Sequence, residues 1–164
     1  MIAKIKTKRV AKVKKNPIET LFWSIALPGF GQLLNGNFLK GLLFIVCEIL
    51  VNVQANFNEM ILFSFNGEID AAIERANFQW LMFYPCIYFY AAWDAFKGAG
   101  GGKSPYSFLP FVFCAYFVTV GLMYSKSFRI FGILFGPVFL PMLFVIPGVL
   151  TGLLIKIILT RIKK

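Results

Sequence analysis

The sequence predicts an all-α, polytopic membrane protein with about four transmembrane helices and an N-terminal re-entrant or interfacial segment. Of 164 residues 59% are apolar and 15% charged, and the mean hydropathy is +0.74. A water-soluble domain of this length hides about two-thirds of its surface, too little to accommodate that composition. Apolar stretches close to the ~20 residues of a bilayer crossing recur along the chain. The 17 Lys and Arg residues also divide unevenly between alternate loops, as the positive-inside rule requires.

Residues 1–17 form a basic tail. Lys4, Lys6, Lys8, Arg9, Lys12, Lys14 and Lys15 lie in it without an acid among them. Its expected partner is the anionic headgroup layer of the lipid bilayer, and no nucleic acid is expected, because the rest of the chain is compatible with hydrocarbon. Residues 18–27 have the length of a signal-peptide core, but Ile25, Ala26 and Leu27 make a poor cleavage site, so the segment is expected to be retained.

Residues 18–97 are expected to form one membrane unit. Its first segment, 18–34, is interrupted by Pro28, Gly29 and Gly31. Spans are expected at 38–56 and 78–96, joined by an outer loop, 57–77, in which Asn66 and Gly67 stop a helix and residues 70–75 form a short amphipathic one. A Gly-rich inner loop, 98–107, reads as a flexible hinge. Residues 108–164 complete the chain as a two-span hairpin, with crossings at 108–124 and about 138–159; Pro137, Pro141 and Pro147 argue against one straight 30-residue crossing from 130 to 159.

Charge decides how 18–34 is threaded. If it enters and leaves on one side, 14 Lys and Arg residues fall inside and three outside; if it crosses, the split is 10 to 7. The first arrangement obeys the positive-inside rule, with both termini cytoplasmic in a multi-pass protein of the cell membrane. A helix broken at Pro28 and Gly29 cannot face lipid, so it is expected to pack under the inner ends of the spans, with Gln32 and Asn35 as local amide partners and Asp94 as its anchor.

The polar residues inside these spans are the candidate site. Glu48 falls near the midplane of span 38–56, and Gly41, Ile45, Glu48, Asn52 and Ala55 share one helical face that must look into the bundle. Glu48 reads either as a protonated hydrogen-bonding link between helices, the favoured reading, or as a proton- or cation-responsive carboxylate; Asn52 is the second intramembrane polar residue. Trp93 and Asp94 read as an inner-face anchor, with Asp94 accepting backbone N–H groups or pairing with Lys40 or Lys97. Cys47, Cys86 and Cys114 are isolated packing residues, and the echo between Leu27-Pro28-Gly29 and Ile146-Pro147-Gly148 leaves an internal repeat open.

The stretch Pro28-Gly29-Phe30-Gly31-Gln32, with Asn35, Gly36 and Gly41 after it and Trp93-Asp94-Ala95-Phe96 later in the chain, resembles small bacterial membrane proteins related to the two-transmembrane (TM-two) domain family. The resemblance covers residues 24–97. It implies a turn of the PGxGQ type leading into a spanning helix and carries over no catalytic residue. The long acidic outer loop and the two further spans depart from the family pattern.

Enzyme chemistry is not expected. The chain has no His, no G-x-S-x-G elbow and no P-loop, and neither a metal site nor a cofactor is expected. The favoured role is an accessory, scaffold or regulatory subunit, in a homo-oligomer or a larger membrane complex. The alternative is a small oligomeric transporter or channel using Glu48.

Overall fold

The computed structural model describes residues 16–163; the basic tail 1–15 and Lys164 lie outside the described residues. The described residues are all-α apart from one two-residue β pairing. Asn16 caps the first helix, α1 (Pro17–Ala26), by accepting from the Ile18 N–H at 3.1 Å, and Pro17 occupies the first turn, where its missing N–H costs nothing. Pro28 and Gly29 end it. Gly29 has φ +104°, a conformation that L side chains rarely adopt, and it turns the chain into the short helix α2 (Phe30–Leu34).

Helix α3 (Phe38–Gln54) is 17 residues long and ends at Asn56, which sits in the left-handed region with φ 54°. Helix α4 (Phe57–Phe65) leaves at 63° to it. After Gly67 comes α5 (Ile69–Arg75), the short helix expected at 70–75. The expected outer loop is therefore two packed helices: Met60 and Ala72 are fully buried, and with Val51, Ala55, Leu81, Leu122 and Val138 they form the main hydrophobic core. Helix α4 ends at the expected stop, Asn66 and Gly67, and the apolar residues of 57–65 repeat at helical spacing and have a core to face.

The expected single helix over 78–96 is corrected. Helix α6 (Phe78–Leu81) stops, and α7 (Tyr84–Gly98) starts with Pro85 in its first turn. A proline there has no N–H to give the Leu81 carbonyl, and its ring crowds that carbonyl, so the chain restarts its helix instead of continuing it. The Gly-rich segment is not a free hinge. A Cβ on Gly101 would lie 2.6 Å from the Phe96 ring, and one on Gly102 2.6 Å from the outer edge of the Trp93 ring, so the loop is packed against two aromatic side chains.

Helix α8 (Leu109–Tyr124) and helix α9 (Gly136–Ile162) make the last hairpin, joined through β1 (Arg129–Ile130) and β2 (Ile133–Leu134), which pair antiparallel as Arg129 with Leu134 and Ile130 with Ile133. Pro141 and Pro147 lie inside α9 without breaking it. Glycines set the packing of this pair: a Cβ on Gly121 would lie 2.9 Å from Pro141 Cα, on Gly148 2.9 Å from Cys114 Cα, and on Gly152 2.5 Å from Pro110 Cα. The two backbones approach this closely only because those side chains are missing. Gly148 thus belongs to a continuous helix, whereas Gly29 ends one, so the similar tripeptides around Pro28 and Pro147 are not a structural repeat.

Among the described residues one helix, α9, is clearly long and apolar enough to span a bilayer: its 27 residues include a window of mean hydropathy 2.4, of which only 22% is buried within the molecule. Helices α3 and α4 meet the same test only together, across their bend, and α8 is apolar but has 16 residues.

Candidate functional site

The turn after Pro28 is held from the opposite side of the bundle. Helix α1 meets α7 through small groups, with Thr20, Ser24, Ala91, Ala92 and Ala95 all buried. Gly31 lies at their junction, where an added Cβ would sit 2.6 Å from the Ala95 Cβ. Pro28 is fully buried beside it. A Cβ on Gly41 would come within 3.0 Å of the Gly29 carbonyl oxygen, so the turn rests directly on the start of α3. Gly36, with φ +75°, has open space around it and serves only to reverse the chain between α2 and α3.

Close packing of small residues brings two amides against the end of α7. Gln32, fully buried, donates from Nε2 to the Ala91 carbonyl at 2.8 Å and to Asp94 Oδ2 at 3.2 Å. Asn35 donates from Nδ2 to the Ala95 carbonyl at 2.8 Å. Both side chains therefore clamp a helix about 60 residues away, which corrects the expectation that they would serve as local partners of the broken segment. The freed groups at the break are met by backbone bonds such as Leu33 N–H to Gly29 O at 3.1 Å.

Asp94 is the hub of the clamp. Its Oδ1 accepts from Lys40 Nζ at 2.9 Å, so of the partners expected for it the structure selects Lys40 and adds Gln32. Lys97 lies over the Trp93 ring instead, 5.8 Å from its centre. Trp93 does more than mark an interface: its ring is 5.5 Å from that of Phe111 and 6.4 Å from that of Phe108, which joins α7 to α8.

Glu48 lies on the buried face of α3 at 8% exposure, with Gly41, Val51 and Ala55 along the same side. Tyr84 donates its hydroxyl to Glu48 Oε1 at 3.1 Å, and Tyr88, one turn along α7, donates to the Ile25 carbonyl at 2.6 Å. These two tyrosines tie α7 to α3 and α1, and the sequence reading missed both. Their spacing of four residues in an aromatic helix was the available signal. Asn52 shares the face but not the bond: its Nδ2 donates to Asn58 Oδ1 at 3.3 Å, across the bend into α4. Glu48 and Asp94 stand at different levels, since Tyr84, the partner of Glu48, is ten residues from Asp94 on α7, or about 15 Å along the axis.

Beside Tyr84 and Tyr88 lies a groove of about 610 Å³ between the two halves of the molecule, lined also by Phe57, Leu122, Pro141 and Val145, with no charged residue in its wall. Among the described residues no three His, Cys, Asp or Glu side chains come together, and the three cysteines are unpaired. The arrangement can hold helices in register through buried hydrogen bonds. Comparison with family models, with curated proteins and with solved structures gives no match to this chain.

Proposed function

We propose that this chain is a multi-pass integral membrane protein that acts as a non-catalytic accessory, scaffold or regulatory subunit, with both termini on the cytoplasmic side. The observation that carries the reading is α9, a 27-residue apolar helix with 22% of its most apolar window buried inside the molecule. Moving that surface from water into lipid is favourable by about 25 cal/mol per Å² of apolar area. Four crossings result if α3 with α4, α6 with α7, α8 and α9 each traverse the bilayer, the α1–α2 segment lying beneath them as in the TM-two-like arrangement. A structural role is supported by how the polar groups are spent. Gln32, Asn35, Asp94, Tyr84 and Glu48 all bond to other helices, and the groove of about 610 Å³ between the halves offers no charged side chain to a solute.

Alkaline carbonate extraction followed by mass measurement of the complex in mild detergent tests this. Retention in the membrane pellet and co-purification with a larger assembly or a second copy are expected; release into the carbonate supernatant overturns the membrane reading, and a monodisperse monomer overturns the subunit reading. One observation favours a transporter or channel: Glu48 Oε2 has no hydrogen-bond partner among the described residues. A proton- or cation-dependent flux in reconstituted vesicles, lost in Glu48→Gln, would establish that reading instead.

A further inference from the structure

The cytoplasmic end of the last hairpin carries a concavity of about 320 Å³ lined by Ser104, Lys156, Ile157, Thr160 and Arg161. From Ala95 to Lys164 the sequence has no Asp or Glu and eight Lys and Arg residues. The ion pairs among the described residues, Lys40 with Asp94 and Arg75 with Glu59, leave Lys156 and Arg161 uncompensated. The hydroxyls here are occupied: Thr160 donates to the Lys156 carbonyl at 2.7 Å, and Ser104 and Ser107 bond each other at 2.7 Å. The ammonium and guanidinium groups are therefore the features that can recognise a ligand, and they call for an anion.

The surface beside the pocket says what else that anion is attached to. Ile146, Leu150, Leu153, Leu154 and Ile157 form an exposed apolar stripe along α9, all five 41% to 60% exposed, and at its C-terminal end Lys156 and Arg161 flank Ile157 and Thr160. Ten residues separate Ile146 from Lys156, about 15 Å along the helix, which is half of a ~30 Å hydrocarbon core. The end of α9 thus offers two cations at headgroup depth, one on each side of an apolar track about one leaflet long.

We propose that Lys156 and Arg161 form a binding site for the phosphate of an anionic glycerophospholipid of the inner leaflet, with its acyl chains lying along Ile146 to Ile157. The site rests on the membrane reading of the chain. A zwitterionic lipid offers the same phosphate, but its quaternary ammonium would be set beside Lys156 and Arg161, so net negative charge is the basis of selection.

The test uses the full chain in detergent, titrated with phosphatidylglycerol, phosphatidylcholine or sodium phosphate and read by native mass spectrometry and thermal shift. Tight binding of phosphatidylglycerol alone is expected. Lys156→Gln with Arg161→Gln should weaken it about thirtyfold, as two surface cations contribute. Lys14→Gln with Lys15→Gln removes the same charge from the basic tail and should weaken it far less. Equal losses for the two pairs would reduce the effect to general electrostatics and overturn the site. Equal binding of phosphatidylcholine, or a shift produced by sodium phosphate alone, overturns the lipid assignment on the wild-type chain, whatever the fate of the variants. Carbonate extraction is scored separately: a chain that stays in the membrane yet fails these tests refutes the site and leaves the membrane reading standing.

Discussion

Replacing Gln32 tests the clamp at its most buried point. Gln32→Leu keeps the size of the side chain nearly constant and removes both donated bonds, one to the neutral Ala91 carbonyl and one to the Asp94 carboxylate. The first is worth about 1 kcal/mol, the second about 1.5–3 kcal/mol because its acceptor is charged. Removing a buried amide returns part of this, since Gln32 Oε1 has no partner among the described residues and its desolvation is relieved in the variant. The net loss is expected at about 2–3 kcal/mol. Gln32→Glu has the same shape but turns an oxygen toward two acceptors, so it should be at least as damaging. The assay is thermal or denaturant unfolding of the purified chain in detergent, run as a double-mutant cycle with Asp94→Asn. A coupling of about 0.5 kcal/mol or more between the two positions is expected for residues in contact. Gln32→Leu within about 0.5 kcal/mol of wild type, or no coupling to Asp94, would refute the claim that this amide holds the Pro28 turn to α7.

Three further outcomes are expected from the geometry. Glu48→Gln should leave unfolding nearly unchanged, because the amide oxygen can still accept from Tyr84, whereas Glu48→Leu and Tyr84→Phe should each lose about 1–2 kcal/mol in the same assay; a large effect of Gln would show that the charge matters. Gly152→Val should push α8 from α9 and cost about 1–3 kcal/mol, measured by thermal unfolding, since a Cβ there already meets Pro110 Cα at 2.5 Å; full tolerance would contradict the close approach. Cysteines at positions 66 and 164 should be labelled from opposite faces of intact vesicles, 66 from the outside; outside labelling of 164 would reverse the threading.

How much of the fold and the clamp was legible depended on whether a feature is local. The break at Pro28 and Gly29 was, because proline and glycine act on their own backbone. So was the inward side of Gly41 and Glu48, because helical spacing fixes which residues share a side, although Ile45 and Asn52 on the same stripe are only half-buried. The partner on the other side was not. Nothing in the spacing of Gln32 and Asn35 indicates that they reach Ala91 and Ala95, and a buried amide next to a helix break is as easily read as its local patch. Pro85 was overlooked because the surrounding residues are uniformly apolar, and apolar content says nothing about helix continuity. The loop against Trp93 and Phe96 was misread for a related reason: glycine permits mobility, but it also permits a backbone to pack closely against a ring, and only the neighbouring aromatics decide between the two.

The two halves of the molecule are held by different forces, and a membrane would change those forces differently. Residues 18–97 are joined by hydrogen bonds from buried amides, a carboxylate and tyrosine hydroxyls. The α8–α9 pair meets closely at glycines and, among the described residues, shows one weak contact of this kind, Cys114 Sγ to the Val145 carbonyl at 3.8 Å. In a medium without water, an amide such as Gln32 that leaves its helix partner finds no solvent to bond, so opening the first half costs more there than in water. The second half gains nothing comparable: lipid competes with its apolar contacts on equal terms, and close packing of the backbones is what remains. If the chain binds a larger partner, the α8–α9 hairpin is therefore the half whose helices can be exchanged for a neighbour's at small cost, while the clamped unit around Asp94 keeps its shape.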